Sequence, residues 1–270
     1  MKDYGLVAPK LESQHYFFNT GRSLGKMIIR PDGNWEQFLP TYEPQFNEFY
    51  DTYGCTVWGT QNALETIYKQ QKGEEINFSE RFTYILAGIT PPGADPHYVA
   101  ETIRKQGLIE DKDLPFVSTY NEFLTPTPMT KELLEKGKKW LTQWEMGHEW
   151  VFMLENNAQR RLTLMKEALL YSPLCVSVTA WIKEGDYYID QGIPNNHWCE
   201  VYKIDDKGIY VFDSYDQAKK VLSLKHNILW CKRYTLITKL DSIKEQLDVV
   251  QIMVNLLKKV IDLFTKKKSL

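Results

Sequence analysis

The spacing of apolar residues along this chain changes character at Pro173. Upstream the pattern is helical. Over 56–71, Val57, Trp58, Leu64 and Ile67 follow one another with few helix breakers, and Gly73 closes the run. A second helix is predicted over 79–87, where Asn77-Phe78-Ser79 supplies capping side chains. The Pro-rich stretch 89–96 reads as a loop, and a third helix covers 97–106 before Gly107. Amphipathic stretches near 130–144 and 155–172 predict two more helices. Downstream of Pro173, β-branched and aromatic residues alternate with polar ones. The runs 174–182, 197–204, 208–214, 219–224 and 234–240 read as strands. Helices first and strands after predict an α+β fold, with a helical half, an antiparallel β half and a seam that can hold a site.

The ends of the chain follow other patterns. Residues 1–44, punctuated by Pro31, Pro40 and Pro44, read as an irregular or short-strand lead-in to a domain over 45–240. Residues 241–270 form a separate C-terminal element, an amphipathic helix with a basic tail. Within it Ile243, Leu247, Val250, Val254, Leu257, Ile261 and Phe264 repeat with alternating spacings of four and three, a heptad seam. A second apolar row (Val249, Ile252, Leu256, Val260, Leu263) makes this helix adhesive on more than one side. Three uses stay open for 242–266: docking on its own domain, self-association or docking to a larger assembly, and lying at a membrane surface with help from Lys266-Lys267-Lys268.

Composition narrows the function classes. A chain of 270 residues with 43% hydrophobic and 25% charged residues has the make-up of a globular protein with a substantial core. The net charge of −2 provides no global field for nucleic acid or a membrane. The opening residues lack an apolar h-region and no apolar run reaches the ~20 residues of a membrane span. Cys55, Cys175, Cys199 and Cys231 are scattered without CxxC spacing, which argues against a disulfide scaffold or a zinc site. A reducing, cytoplasmic setting is expected, and no cofactor or metal is implied.

The candidate chemistry lies in three residues. Cys55 stands at the front of the first helix, where unpaired backbone amides favour a thiolate, and Gly54 before it would let a substrate backbone approach. Asn196-His197 opens a strand, and the next strand ends in Asp213, sixteen residues after the histidine. A hairpin of that length brings its two ends together, so His197 and Asp213 are expected to touch. Asp213, at the end of an apolar strand, needs a cationic or imidazole partner. Cys175, Cys199 and Cys231 read as core thiols. His15, His97, His148 and His226 read as surface or structural residues, with His97 in the first turn of the third helix.

Order and spacing together resemble the papain-like cysteine peptidases over roughly 45–235. Those enzymes begin their central helix with the nucleophilic cysteine and carry a buried glutamate ten positions later, where this chain has Glu65. "NFSERF" is similar to the family's segment opening the next helix. Leu114-Pro115-Phe116 stands for its Tyr-Pro-Tyr landmark, "NHWCEVYKI" for its histidine strand, and "VFDSY" for its Asn-Ser-Trp motif.

The resemblance implies a cysteine peptidase acting on a peptide or protein substrate. Cys55 would attack as thiolate and His197 would pair with it and shuttle the proton. Asp213, in place of asparagine, would orient the imidazole and, as an anion, favour the imidazolium more strongly than an amide does. The family's oxyanion glutamine lies a few residues before the cysteine. Here that region offers Gln45, ten residues before Cys55, with Asn47 as a second candidate. Thr56 and Tyr215 stand where the family has tryptophans, framework disulfides are absent, and no helical prodomain fits in the forty or so residues before Gln45. These departures resemble divergent papain-like proteins encoded by bacteria and tailed phages. Two rival readings remain: a non-catalytic papain-fold subunit of a larger assembly such as a virion, and a thioester-forming acyltransferase.

Overall fold

A computed structural model describes residues 4–12, 15–20, 24–25, 27–125, 129–216, 218–239, 251, 253–254 and 256–258. The central helix α1 (Cys55–Lys72) is buried from Cys55 through Ile67, and Gly73 ends it in a left-handed conformation. A helix covered on so much of its surface must be approached closely by its neighbours. Gly59 permits this, since a Cβ there would lie 3.0 Å from the Trp198 indole.

The other helices start where polar side chains meet the first orphan amides. In α2 (Glu80–Leu86) the Ser79 hydroxyl accepts from the Phe82 amide. Asp95 caps α3 (Pro96–Gln106), which begins with proline and ends at Gly107 with φ 78°. The short α4 (Tyr120–Leu124) is capped by Thr119, α5 (Lys131–Gln143) by Thr130 and α6 (Ala158–Ala168) by Asn157. The last is shorter than the predicted 155–172, because Asn157 leaves the helix to cap it.

The strands are β1 (Trp144–Met153), β2 (Leu174–Val178), β3 (Lys183–Glu184), β4 (Tyr187–Tyr188), β5 (His197–Ile204), β6 (Ile209–Phe212), β7 (Lys219–Leu222) and β8 (Trp230–Thr238). They form one sheet in the order β1-β8-β2-β5-β6-β7-β4-β3, antiparallel except for the single β4–β7 contact. The helical half and antiparallel half expected from the sequence are both present. β1 was not legible, because no glycine or proline separates it from α5. Its strand state comes from pairing along β8, from Trp144↔Thr238 to Met153↔Trp230.

One core lies between α1, α3 and the sheet around Trp58, Leu64, Val99, Trp150 and Trp198. A second covers the other face around Trp35, Met165, Val176 and Val211. The lead-in contributes to the second core, with the Trp35 indole N–H donating to the Leu169 carbonyl at 2.8 Å. All four cysteines are buried free thiols. No described helix is long and apolar enough to cross a membrane. Most of 242–266 lies outside the described residues. Its described positions 251, 253–254 and 256–258 are helical and exposed.

Candidate active site

Cys55 is the first residue of α1, and no side chain caps this terminus, where the Gly54 carbonyl accepts from both Val57 and Trp58. The backbone before it is held by side chains. The Thr52 hydroxyl accepts from the Gly54 amide at 3.1 Å and donates to the Gln45 carbonyl at 2.8 Å. Burial pushes the Cys55 thiol well above its ordinary range. The Asp213 and Asp51 carboxylates push the same way, and the Trp198 and Thr56 backbone amides oppose them. Trp198 directly follows His197, so the thiol meets the first turn of β5 where the histidine enters the sheet.

His197 and Asp213 meet as the hairpin length predicts. β5 and β6 pair antiparallel with Glu200 opposite Phe212, and the turn between them is closed by Asp205. His197 Nε2 lies 2.5 Å from Asp213 Oδ1, with both side chains fully buried. Nδ1 of the same ring has no hydrogen-bond partner among the described residues. Tyr4, Trp181 and Tyr215 meet the imidazole edge-on, with ring centroids at 5.3, 5.4 and 5.6 Å.

Asp213 has a second partner that the sequence did not disclose. Lys220 Nζ donates to Asp213 Oδ2 at 2.7 Å and to the Tyr215 carbonyl, from a fully buried position on β7. Burial raises the Asp213 carboxyl, but the charges and hydrogen bonds of His197 and Lys220 together hold it below the ordinary range. One signal was available. Strand alternation places Lys220 on the same face as Leu222, and that face is buried.

Gln45 and Asn47 separate clearly. Gln45 is buried; its Oε1 accepts from the Ser214 hydroxyl at 2.7 Å, and its Nε2 donates to the Tyr4 carbonyl at 3.0 Å and to Asp51 at 3.2 Å. It therefore ties the loop before Cys55 to the end of the His–Asp hairpin. Asn47 turns toward the helical half, with Nδ2 on the Val117 and Ser118 carbonyls and Oδ1 on the Phe49 and Tyr50 amides. Glu65 is buried and accepts from the Phe78 amide at 2.8 Å, anchoring α1 to the start of α2. His15, His148 and His226 are buried.

The N-terminal segment lies across this group of residues. Besides the Tyr4 ring on His197 and the Tyr4 carbonyl on Gln45, Val7 N–H donates to the Ala94 carbonyl and Ala94 N–H to the Gly5 carbonyl, each at 3.0 Å. The close approach requires glycine on both sides. Gly5 has φ 110°, and a Cβ there would stand 2.0 Å from the Tyr53 carbonyl oxygen; Gly93 has φ 132° and faces Gly5 at the same distance. Beside the segment an open cleft of about 360 Å³ is lined by Tyr4, Phe46, Tyr50, Asp51 and Tyr215, among others. Nothing in the aperiodic lead-in announced this placement.

No family model and no curated protein matches the chain. Solved structures do. Xylellain, a cysteine protease from Xylella fastidiosa, superposes with a TM-score of 0.57 at 12% identity, covering 88% of this chain and 96% of that one. The Amb a 11 cysteine protease of ragweed pollen, in its proform, gives 0.52 at 17% identity over 74% of this chain. The match spans 64% of the ragweed protein's length. Procathepsin L 3 of the Tenebrio molitor larval midgut gives 0.52 at 14% identity, covering 75% of this chain and 68% of that one. The chain has the papain-like fold these cysteine proteases share.

Proposed function

We propose that this chain is a thiol hydrolase that cleaves a peptide or related amide bond through Cys55, His197 and Asp213. The observation that carries the proposal is the buried His197–Asp213 pair, whose strand neighbour Trp198 meets the Cys55 thiol at the start of α1, with no described residue bonded to the second ring nitrogen. With Nε2 held by the carboxylate, Nδ1 is the atom left to take the thiol proton. Cys55 then attacks the carbonyl, the imidazolium protonates the leaving amine, and a thioester remains on Sγ. Water, deprotonated by the same nitrogen, hydrolyses it and restores the thiol. The Cys55 backbone amide and Gln45 Nε2 are the donors for the oxyanion. Gln45 fits this role because its other amide atom is fixed by Ser214, which presets the direction of the N–H groups.

In the described state the Cys55 thiol is fully buried, burial raises it above its ordinary range, and the Gln45 amide is spent on the Tyr4 carbonyl. This is a resting form. Activity requires residues 4–7 to leave.

The same facts favour a second reading, a papain-fold subunit that never turns over. Limiting iodoacetamide from acidic to alkaline pH, mapped cysteine by cysteine in a Gly5→Ala chain whose N-terminal segment is displaced, with and without His197→Ala, separates the two. Preferential labelling of Cys55 that extends to acidic pH and is lost with His197→Ala supports the hydrolase. Labelling of Cys55 no faster than Cys175 or Cys231 refutes it. A fluorogenic peptide library with Cys55→Ala as blank then tests turnover, and product analysis with an added amine separates hydrolysis from acyl transfer.

A further inference from the structure

An aspartate in a fully buried site beside a histidine carries a charge that something must balance. On sequence alone the balance falls to His197, which would make Asp213 an anion pulling the imidazole toward its protonated form. The structure puts a second cation on the other carboxylate oxygen. Lys220 Nζ and His197 Nε2 hold the two oxygens of one carboxylate at 2.7 and 2.5 Å. The lysine is not a passing surface contact. Only 2% of it is exposed, its ammonium lies 5.0 Å from the Trp181 ring centroid and 5.9 Å from that of Tyr188, and it also donates to the Tyr215 carbonyl. Trp181 in turn packs on His197, so lysine and imidazole share one aromatic wall.

We propose that Lys220 is a positioning residue of the candidate site: it neutralises Asp213, so that His197 is oriented by a carboxylate–ammonium pair of zero net charge. The inference rests on the thiol-hydrolase reading above and deepens it. An ion pair of this kind gives the imidazole a strong, directed acceptor without a net negative field. It therefore acts as a neutral amide would, and the carboxylate does not bias the site toward imidazolium as Asp213 alone would.

The other titratable groups near the trio are Cys55 on α1, Cys199 on β5, Tyr4 in the N-terminal segment, Tyr42 in the loop before the site, Tyr188 on β4, and Asp51 and Asp216. Of the groups named, only Lys220 and a protonated His197 carry positive charge, so the balance turns on Lys220.

The test is the titration of His197 in the full chain, followed through the Cε1 signal of labelled histidine and, in parallel, through the alkaline limb of Cys55 alkylation. Removing a unit charge on the order of 6 Å away, at an effective dielectric constant of about 20, moves a titration by about two pH units. Lys220→Met is expected to raise the His197 midpoint by one to two units, about that amount, because the carboxylate is left unbalanced. Asp213→Asn, with the lysine kept, is expected to lower it.

The double variant Asp213→Asn with Lys220→Met removes both charges and is expected to bring the midpoint back to within about half a unit of the parent. If Lys220→Met alone fails to fold, the double variant against Asp213→Asn still decides. A midpoint that returns supports the pairing, and one that stays with Asp213→Asn overturns it. An unmoved midpoint in a folded Lys220→Met also overturns it, since a lysine that only packs would leave the titration where it is. The histidine signal is read without substrate, so absence of peptide turnover would defeat the hydrolase reading and leave this result standing.

Discussion

Substitution of Gly5 tests whether the N-terminal segment closes the site. Gly5→Ala places a methyl group 2.0 Å from the Tyr53 carbonyl oxygen, on a backbone with φ 110°. Neither can be accommodated where it stands. The partner is backbone, and a non-glycine residue in that region costs roughly 1–3 kcal/mol before any clash. Among the contacts that hold the segment are three hydrogen bonds, Val7 to Ala94, Ala94 to Gly5, and Gln45 to Tyr4. At a net value of about 1 kcal/mol each, they favour the closed form by about 3 kcal/mol, roughly a hundredfold. Lifting the segment should therefore raise the alkylation rate of Cys55 by up to about two orders of magnitude at fixed pH. The assay is limiting iodoacetamide with peptide mapping. Cys175, Cys199 and Cys231 are buried core thiols and report any general unfolding. Hydrogen exchange at the Val7 and Ala94 amides shows whether the segment has come away. Lost protection at these amides with an unchanged Cys55 rate would refute the idea that residues 4–7 control access.

Three further outcomes follow from other parts of the structure. Gln45→Ala should lower kcat by about 10²–10³ with KM little changed, as loss of one oxyanion donor does; an equal rise in KM would assign Gln45 to substrate binding. Glu149 is fully buried in an ion pair with Arg233, which also donates to the Leu24 and Gly25 carbonyls. Glu149→Ala strands that guanidinium and should cost roughly 3–5 kcal/mol in urea unfolding, with Glu149→Leu/Arg233→Met costing less; equal losses would argue against a charge effect. Burial lowers His148 to about 4 and His97 to about 3, with Lys232 adding to both. Both hold their protons more weakly folded than unfolded, so stability is full above the unfolded value of 6.5 and declines as pH falls through that value toward 4. His148→Gln should flatten this decline in the melting temperature. An unchanged slope would remove His148 from the account.

Much of the architecture was legible because the relevant forces are local. Ser79, read as a capping side chain ahead of its helix, caps α2, whereas Asn157, inside the stretch 155–172 that read as helix, caps α6 instead and was not legible as a cap. The His197–Asp213 contact was legible because a hairpin of given length has few registers. The strand β1 was not, since its sequence carries no breaker and its conformation is set by β8, nearly ninety residues away. Nor was the place of Tyr4, whose segment pairs with Ala94 across the fold.

The sequence by itself determined where α1 and β5 begin, and hence that a cysteine, a histidine and an aspartate stand at the ends of elements. Periodicity, capping and turn length act over a few residues and leave their mark in order along the chain. Only the tertiary structure decided the charge state around them: Lys220 behind Asp213, the Tyr4 carbonyl on Gln45, and full burial of the thiol. Coulomb energy and desolvation depend on distance through space and on what excludes water, and neither is written in the spacing of residues.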